Sequence, residues 1–154
     1  SLSTLMLAKT SGAILMGSVN AFVPVAMAAI LTDLSGVAWH LFIPAIFLIA
    51  VSSTFLGLFI AVAVSEVFEA QTFSNFFRFP MMFLCGLFFP IAHLPVLLKP
   101  LAFVFPLTYG TDILHGSVHG NHIMPFSLDL AVLTLFCLGL FSLSLYNIKK
   151  RWIA

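Results

Sequence analysis

Three long stretches without a charged residue constrain this chain more than any other feature of its sequence. They run from Ser11 to Thr32, from Leu41 to Ser65 and from Leu130 to Ile148. A helix needs about 20 residues to cross the roughly 30 Å hydrocarbon core of a bilayer, so each stretch is long enough. The stretches are continuously apolar and lack the alternation of membrane barrel strands. The sequence therefore predicts an all-α membrane protein.

The composition supports the same class. Of the 154 residues, 62% are hydrophobic and 7% are charged, whereas about 25% of the residues in a soluble domain are charged. The surplus of apolar side chains must face lipid, which argues against a soluble enzyme. A formal net charge of +1 supplies no basic surface for a nucleic acid, and 18 phenylalanines are the opposite of the composition of a disordered chain.

The region between the second and last charge-free stretches is also apolar, but prolines interrupt it. A spanning helix is predicted at about residues 79–92, and Pro95, Pro100, Pro106 and Pro125 follow it. Proline removes a backbone donor and tends to end a helix, and irregular backbone at membrane depth must be covered by protein or water. We therefore predict one transmembrane domain over residues 1–154. It would have four spans, at about 11–32, 41–65, 79–92 and 130–148, and a re-entrant helical hairpin on the outer side at about 93–127.

The basic residues predict the orientation of the domain. Lys149, Lys150 and Arg151 directly follow the last span, and short loops rich in lysine and arginine face the cytoplasm. The C-terminus is therefore predicted to be cytoplasmic, with residues 33–40 outside and residues 66–78 in an inner loop. Because the chain has no initiator methionine and no secretory signal, we expect it to be the C-terminal part of a longer protein.

Small residues recur every four positions on the first two predicted spans. They are Ala13, Gly17 and Ala21 on the first span, and Ser53, Gly57 and Ala61 on the second. Such stripes let two helices approach closely, so we interpret them as helix-packing surfaces. A dimer interface or the lining of a transport pathway is the functional alternative.

Motifs that carry chemistry are scarce. His115, His119 and His122 have a spacing that could hold a metal ion on a helix, but Gly116 and Gly120 interrupt that helix, so we expect exposed loop histidines and no metal. The sequence contains no phosphate-binding loop ending in Gly-Lys-Ser or Gly-Lys-Thr and no Gly-x-Ser-x-Gly nucleophile motif. We therefore predict no catalytic and no cofactor-binding residue in this chain.

A series of short motifs resembles one family of membrane proteins. Glu69-Ala70-Gln71 precedes Phe79-Pro80, which is followed by Leu84-Cys85-Gly86-Leu87-Phe88-Phe89-Pro90, by Leu94-Pro95 and by Phe105-Pro106-Leu107-Thr108-Tyr109-Gly110. In this order the motifs resemble the permease subunit of type-2 ABC exporters, the class that exports drugs, polysaccharides and lipids. The basic residue that usually follows the last motif is absent here.

The resemblance implies a fold, partners and sites. The chain would correspond to helices three to six of a six-helix permease half in the cytoplasmic membrane. It would pair with a second permease copy, identical or different, and with a cytosolic ATPase subunit that binds ATP and Mg²⁺. The implied outer gate consists of Phe79, Pro80, Gly86, Pro90, Pro95, Pro106 and Tyr109, and the surface implied to face the ATPase contains Glu66, Glu69 and Arg78.

The expected function is that of a permease subunit in an ATP-driven exporter of an amphiphilic drug, lipid or glycan. Two alternatives stay open. A secondary transporter or channel fragment would be favoured by a charged group buried at mid-span, because intramembrane carboxylates mark ion and proton pathways. A membrane scaffold subunit without transport activity would be separated from both by a transport assay.

Overall fold

The computed structural model describes residues 2–31 and 33–152, and the regular structure in these ranges is entirely helical. Thr32, the last residue of the first predicted span, lies outside the described residues, as do residues 1, 153 and 154. The α-helices are α1 (Leu2–Leu31), α2 (Trp39–Ala63), α3 (Val67–Leu84), α4 (Lys99–Val104), α5 (Pro106–His119) and α6 (Phe126–Trp152), and a 3₁₀ turn at Ile91–His93 lies between α3 and α4. The predicted all-α fold is confirmed.

Three of the described helices have the length and composition needed to cross a membrane. They cover Thr4–Leu31, Trp39–Ala63 and Phe126–Lys150, and they correspond to the predicted spans at 11–32, 41–65 and 130–148. Each helix begins earlier than predicted. The reason is that Lys9, His40 and Asp129 lie within helical turns, whereas we placed the boundaries at the ends of the charge-free runs.

The predicted span at 79–92 differs from the structure. Residues 79–84 form only the last part of α3, which begins at Val67, and residues 85–90 are not helical. The predicted inner loop at 66–78 is correspondingly helical from Val67 onward. Pro80 lies inside α3 and does not open it. The helix ends where it does because Gly86, directly after the C-cap Cys85, has a left-handed φ of 85°, a conformation that commonly terminates helices.

α2 is the central helix of the bundle. It packs most extensively against α5 and α6 and also contacts α1 and α3. The side chains it buries include Ala45, Ile46 and Phe55, and the Phe55 ring lies 5.1 Å from that of Phe141 on α6. The apolar side chains of α1, in contrast, are largely unburied within this chain.

The proline-rich region at 93–127 forms short helices, as the interrupted pattern predicts. α4 has 6 residues and α5 has 14. Pro106 opens α5, where its missing N–H is tolerated, and Gly120 closes it with a φ of 72°. The Ala38 N–H donates a 2.8 Å hydrogen bond to the Ser117 carbonyl, so residues 33–38 and the end of α5 lie at one end of the bundle. The cytoplasmic or outer assignment of that end stays a prediction.

Candidate functional site around helix α5

α5 is short, yet it supplies the densest set of buried polar groups in the described chain. It packs between α2 and α6, and Thr108, Thr111, Asp112 and Ser117 are all at most 7% exposed. Buried polar groups need hydrogen-bond partners. The partners of these side chains therefore define how α5 is held in the bundle.

The first turn of α5 is tied back to α4. The Thr108 hydroxyl donates to the Ala102 carbonyl, and the Tyr109 hydroxyl donates to the Phe103 carbonyl over 2.8 Å. Both acceptors lie near the C-terminal end of α4, where carbonyls have no partner within the helix. The two hydroxyl groups thus fix the angle between α4 and α5.

The middle of α5 is hydrogen-bonded to the segment that directly follows α3. The Thr111 hydroxyl lies 2.5 Å from the Cys85 carbonyl and 2.9 Å from that of Thr108, and its single O–H is shared between these two acceptors. The Cys85 side chain is fully buried, and burial raises the pKa of its thiol, so the thiol stays protonated. Cys85 therefore acts as a small apolar core residue.

Asp112 anchors the loop between α5 and α6. Its carboxylate accepts hydrogen bonds from the Ile123 N–H, at 3.0 and 3.1 Å from its two oxygens, and from the Met124 N–H at 2.9 Å. These charge-assisted bonds fix the direction in which the chain enters α6.

A cavity of about 230 Å³ lies between α5 and the segment that follows α3. Gly86, Pro90 and Ile91 line one side, and Asp112 and His115 line the other. Two of the predicted gate residues, Gly86 and Pro90, thus share one cavity with polar groups of α5. Its lining is mostly apolar with a few polar groups, which is typical of small-molecule sites.

The other predicted gate residues lie apart from this cavity. Pro106 and Tyr109 are buried at the start of α5, Phe79 is 63% exposed on α3, and Pro95 is exposed after the 3₁₀ turn. The structure therefore separates Phe79, Pro80 and Pro95 from the cavity. The role of all seven residues in gating stays a prediction.

The three histidines do not converge. The His115 and His119 rings stack with their centroids 5.8 Å apart, while the His122 ring lies over Gly116. Within residues 2–31 and 33–152, no group of three His, Cys, Asp or Glu side chains is placed to hold a metal ion. The reason is that Gly120 turns the chain after α5 and moves His122 off the helix face that carries His115 and His119.

The predicted ATPase-facing residues lie along one helix. Glu66 is the N-cap of α3, Glu69 is in its first turn, and all three side chains, including Arg78, are exposed. A Glu69 oxygen accepts a 3.3 Å hydrogen bond from the Ser65 N–H. Arg78 lies nine residues after Glu69, about 13.5 Å along the helix axis, so the two carboxylates form one site without it.

The small-residue stripes are only partly covered within the chain. Gly17, Ala21 and Ser53 line a groove of about 580 Å³ between α1 and α2, and a Cβ built on Gly17 would lie 3.8 Å from that of Ala50. Ala13, Gly57 and Ala61 are exposed. The packing interpretation therefore fits the middle of α1, while the second half of the α2 stripe has no neighbour among the described residues.

Sequence reasoning missed the buried acidic pair Asp112 and Asp129. Asp129 is 1% exposed in the first turn of α6. Its N–H donates to the carbonyl of Pro125, the residue after Met124, so its carboxyl lies beside that of Asp112. The charge-free run from Leu130 to Ile148 places Asp129 directly before the last predicted span. A rare carboxylate beside a charge-free run was a signal of interest, but its partner lies 17 positions earlier and no local pattern links the two.

Asp112→Ala should release the loop that Asp112 anchors. Hydrogen bonds to a charged group contribute about 1.5–3 kcal/mol each, so the Ile123 and Met124 amides should exchange with deuterium much faster than in the parent protein. Hydrogen exchange followed by mass spectrometry of the peptide covering residues 120–125 measures this. Thr72→Ala, which removes an exposed hydroxyl bound to the Phe68 carbonyl, is the control. Unchanged exchange in Asp112→Ala would contradict the anchoring role.

These features define a multi-pass α-helical membrane protein with a short helix held inside its bundle. A family model of ABC-2 type transporters matches residues 1–118, which includes α1 to α4 and nearly all of α5. The chain belongs to the ABC-2 type transporter family, whose membrane domain acts as a transport permease and not as a catalytic subunit. No curated protein and no solved structure matches the chain.

Proposed function

We propose that this chain is the membrane permease of an ATP-driven exporter, with ATP hydrolysed by a separate cytosolic subunit. The observation that carries the proposal is the family match over residues 1–118. The absence of a phosphate-binding loop from the sequence is consistent with hydrolysis in another subunit. In this scheme ATP and Mg²⁺ bind the partner ATPase.

The N-terminal end of α3 is the proposed docking surface for the ATPase. Glu66 and Glu69 lie one turn apart there, exposed, at the junction between a spanning helix and α3. A basic group of the ATPase would pair with them. Exposed carboxylates attract such a partner and set its orientation, and they contribute more to the association rate than to the affinity.

The proposed cargo is amphiphilic: a drug, a lipid or a glycan attached to a lipid. The groove between α1 and α2 is lined mainly by apolar side chains, with the hydroxyls of Ser53 and Thr54 as its polar groups. Neither α2 nor the apolar part of α6 that follows Asp129 places a charge at mid-span. This pattern favours a cargo with an apolar part over an ion, because carboxylates of ion pathways lie along the spans, whereas Asp129 lies in the first turn of α6. A second permease copy would complete the pathway.

Co-purification tests the proposal directly. The full-length protein is tagged, extracted in mild detergent, and the proteins that come with it are identified by mass spectrometry. We expect a cytosolic protein with a phosphate-binding loop in stoichiometric amount. Recovery of the protein alone, or with membrane proteins only, would contradict ATP coupling and favour the secondary transporter or the scaffold.

Charge reversal locates the docking surface. The double variant Glu66→Lys with Glu69→Lys should lose most of the co-purifying ATPase, since it replaces two attractive charges by two repulsive ones. Asp33→Lys is the matched control, because Asp33 is an exposed acid in the loop at the opposite end of α2 and should leave the complex intact. Retention of the ATPase by the double variant would place the docking surface elsewhere.

A further inference from the structure

We propose that Asp112 and Asp129 share one proton, so that a neutral Asp129 carboxyl donates a hydrogen bond to the Asp112 carboxylate and fastens α5 to α6. This proton-binding site is independent of the transported cargo and of the energy source. The hydrogen-bond donors and acceptors around the two side chains support this site.

Asp129 is a buried carboxyl group that no hydrogen-bond donor among the described residues reaches. It is 1% exposed, and neither of its oxygens has a hydrogen-bond partner in the part of the chain that the structure describes. The N–H groups of the first turn of α6 would favour a negative charge, but none of them reaches these oxygens. A buried carboxylate without a partner is strongly disfavoured.

The Asp112 carboxylate, in contrast, already has two hydrogen-bond donors. Its oxygens accept the N–H groups of Ile123 and Met124 at 2.9 to 3.1 Å, and hydrogen bonds to the charged form favour that form. Asp112 is therefore the acceptor of the pair, and the proton belongs on Asp129.

Neither helix packed against α6 supplies a lysine or an arginine to neutralise the pair instead. The helices packed against α6 are α2 and α5, and neither contains lysine or arginine. The titratable groups of α5 are Tyr109, Asp112, His115 and His119, and α2 carries only His40, exposed in its first turn. The loop at residues 120–125 adds His122, whose ring lies over Gly116. Two carboxyl groups in contact without a cation are held together by one proton.

The bond has a structural consequence for the bundle. Through Asp112 it joins three segments: α5, the loop at residues 120–125, and α6. The proton is taken up from water when α5 packs against α6, and no covalent bond to carbon changes. The pair therefore fixes the position of the proline-rich region, residues 93–127, relative to α6.

Infrared spectroscopy of the full-length protein in membranes tests the proposal. The parent protein should show the carbonyl stretch of a protonated carboxylic acid, and Asp129→Asn should lose that band. Asp33→Asn is the control, since the Asp33 side chain is exposed, and its replacement should leave the band unchanged. A spectrum without an acid band that depends on Asp129 would overturn the proposal.

The unfolding temperatures of two Asp129 variants are a second test. Asp129→Asn should retain the parent unfolding temperature because its amide N–H can still donate to Asp112. Asp129→Ala has no donor and should lower that temperature by about 2–4 °C. Equal losses in the two variants would contradict a donated hydrogen bond.

Two further outcomes keep the test decisive. If Asp129→Asn does not accumulate in the membrane, Asp112→Asn replaces it in the infrared experiment. This variant retains the Asp129 acid but removes its anionic acceptor, so the acid band should persist at a shifted frequency. An unshifted band would overturn the pairing. If added Na⁺ or Ca²⁺ raises the unfolding temperature of the parent protein and not of Asp129→Asn, the pair holds a cation, and the shared proton is wrong.

Discussion

Gly110→Val is expected to cause a large loss of stability at the α2–α5 interface. A Cβ at position 110 would overlap the Ile49 Cγ1 atom and lie 2.8 Å from Cδ1. Both residues lie in helices that meet in the middle of the bundle, so neither backbone can move away without disturbing other contacts. Overpacking of this kind costs about 1–3 kcal/mol, and valine recovers only a few tenths of that through its better helix propensity.

The same substitution in an open position is the control. Gly139 lies in α6 with no neighbouring atom within 4 Å of a built Cβ, so Gly139→Val should be close to neutral within the chain. Thermal unfolding in detergent, detected by tryptophan fluorescence, compares the unfolding temperatures of the two variants. Adding Ile49→Ala to Gly110→Val should restore part of the loss, because the two changes act on one contact. Independent, additive effects would contradict the close approach of α2 and α5.

Gly86→Leu is expected to abolish transport while leaving the ATPase bound. Gly86 has a φ of 85°, a conformation that costs a residue with a Cβ about 1–2 kcal/mol. A Cβ there would also lie 3.2 Å from Ile91 Cγ1, so the substitution deforms the wall of the 230 Å³ cavity. The proposed docking residues Glu66 and Glu69 lie at the other end of α3, 17 or more residues away, and should be unaffected.

Two further variants separate backbone strain from crowding. Gly86→Asn should retain more transport than Gly86→Leu, since asparagine tolerates the left-handed region better than other residues with a side chain. Gly120→Leu has a similar φ of 72° but no atom within 4 Å of its Cβ, so it shows the effect of strain alone. If Gly86→Leu transports at the parent rate, the assignment of Gly86 to the gate is wrong. If it loses the ATPase, the substitution causes a wider folding defect.

The helical class and three of the spans could be predicted because they depend on local properties. A charge-free run of 19 to 25 residues has few alternatives to a spanning helix, and Ser11–Thr32, Leu41–Ser65 and Leu130–Ile148 are such runs. The predicted boundaries were too narrow at Lys9 and Asp129, because a single charge near a helix end is compatible with continued helix.

The third predicted span was misplaced because two local signals were weighted wrongly. The predicted span begins at the Phe79-Pro80 pair, although a proline in a helix interior can be tolerated with a kink. The polar residues from Glu69 to Arg78 were interpreted as a loop, although they form the exposed face of α3. The decisive signal was Gly86, whose position after Cys85 fits the glycine that ends a helix.

The sequence by itself determined that this chain forms apolar helices, where its prolines and glycines interrupt them, and which family its motifs resemble, since each of these depends on residues close together in the chain. Only the tertiary structure decided that α5 is buried between α2 and α6, that Gly110 meets Ile49, and that Asp129 lies against Asp112. These contacts join residues 17 to 61 positions apart. They depend on how helices pack in space, which no local pattern of the sequence encodes.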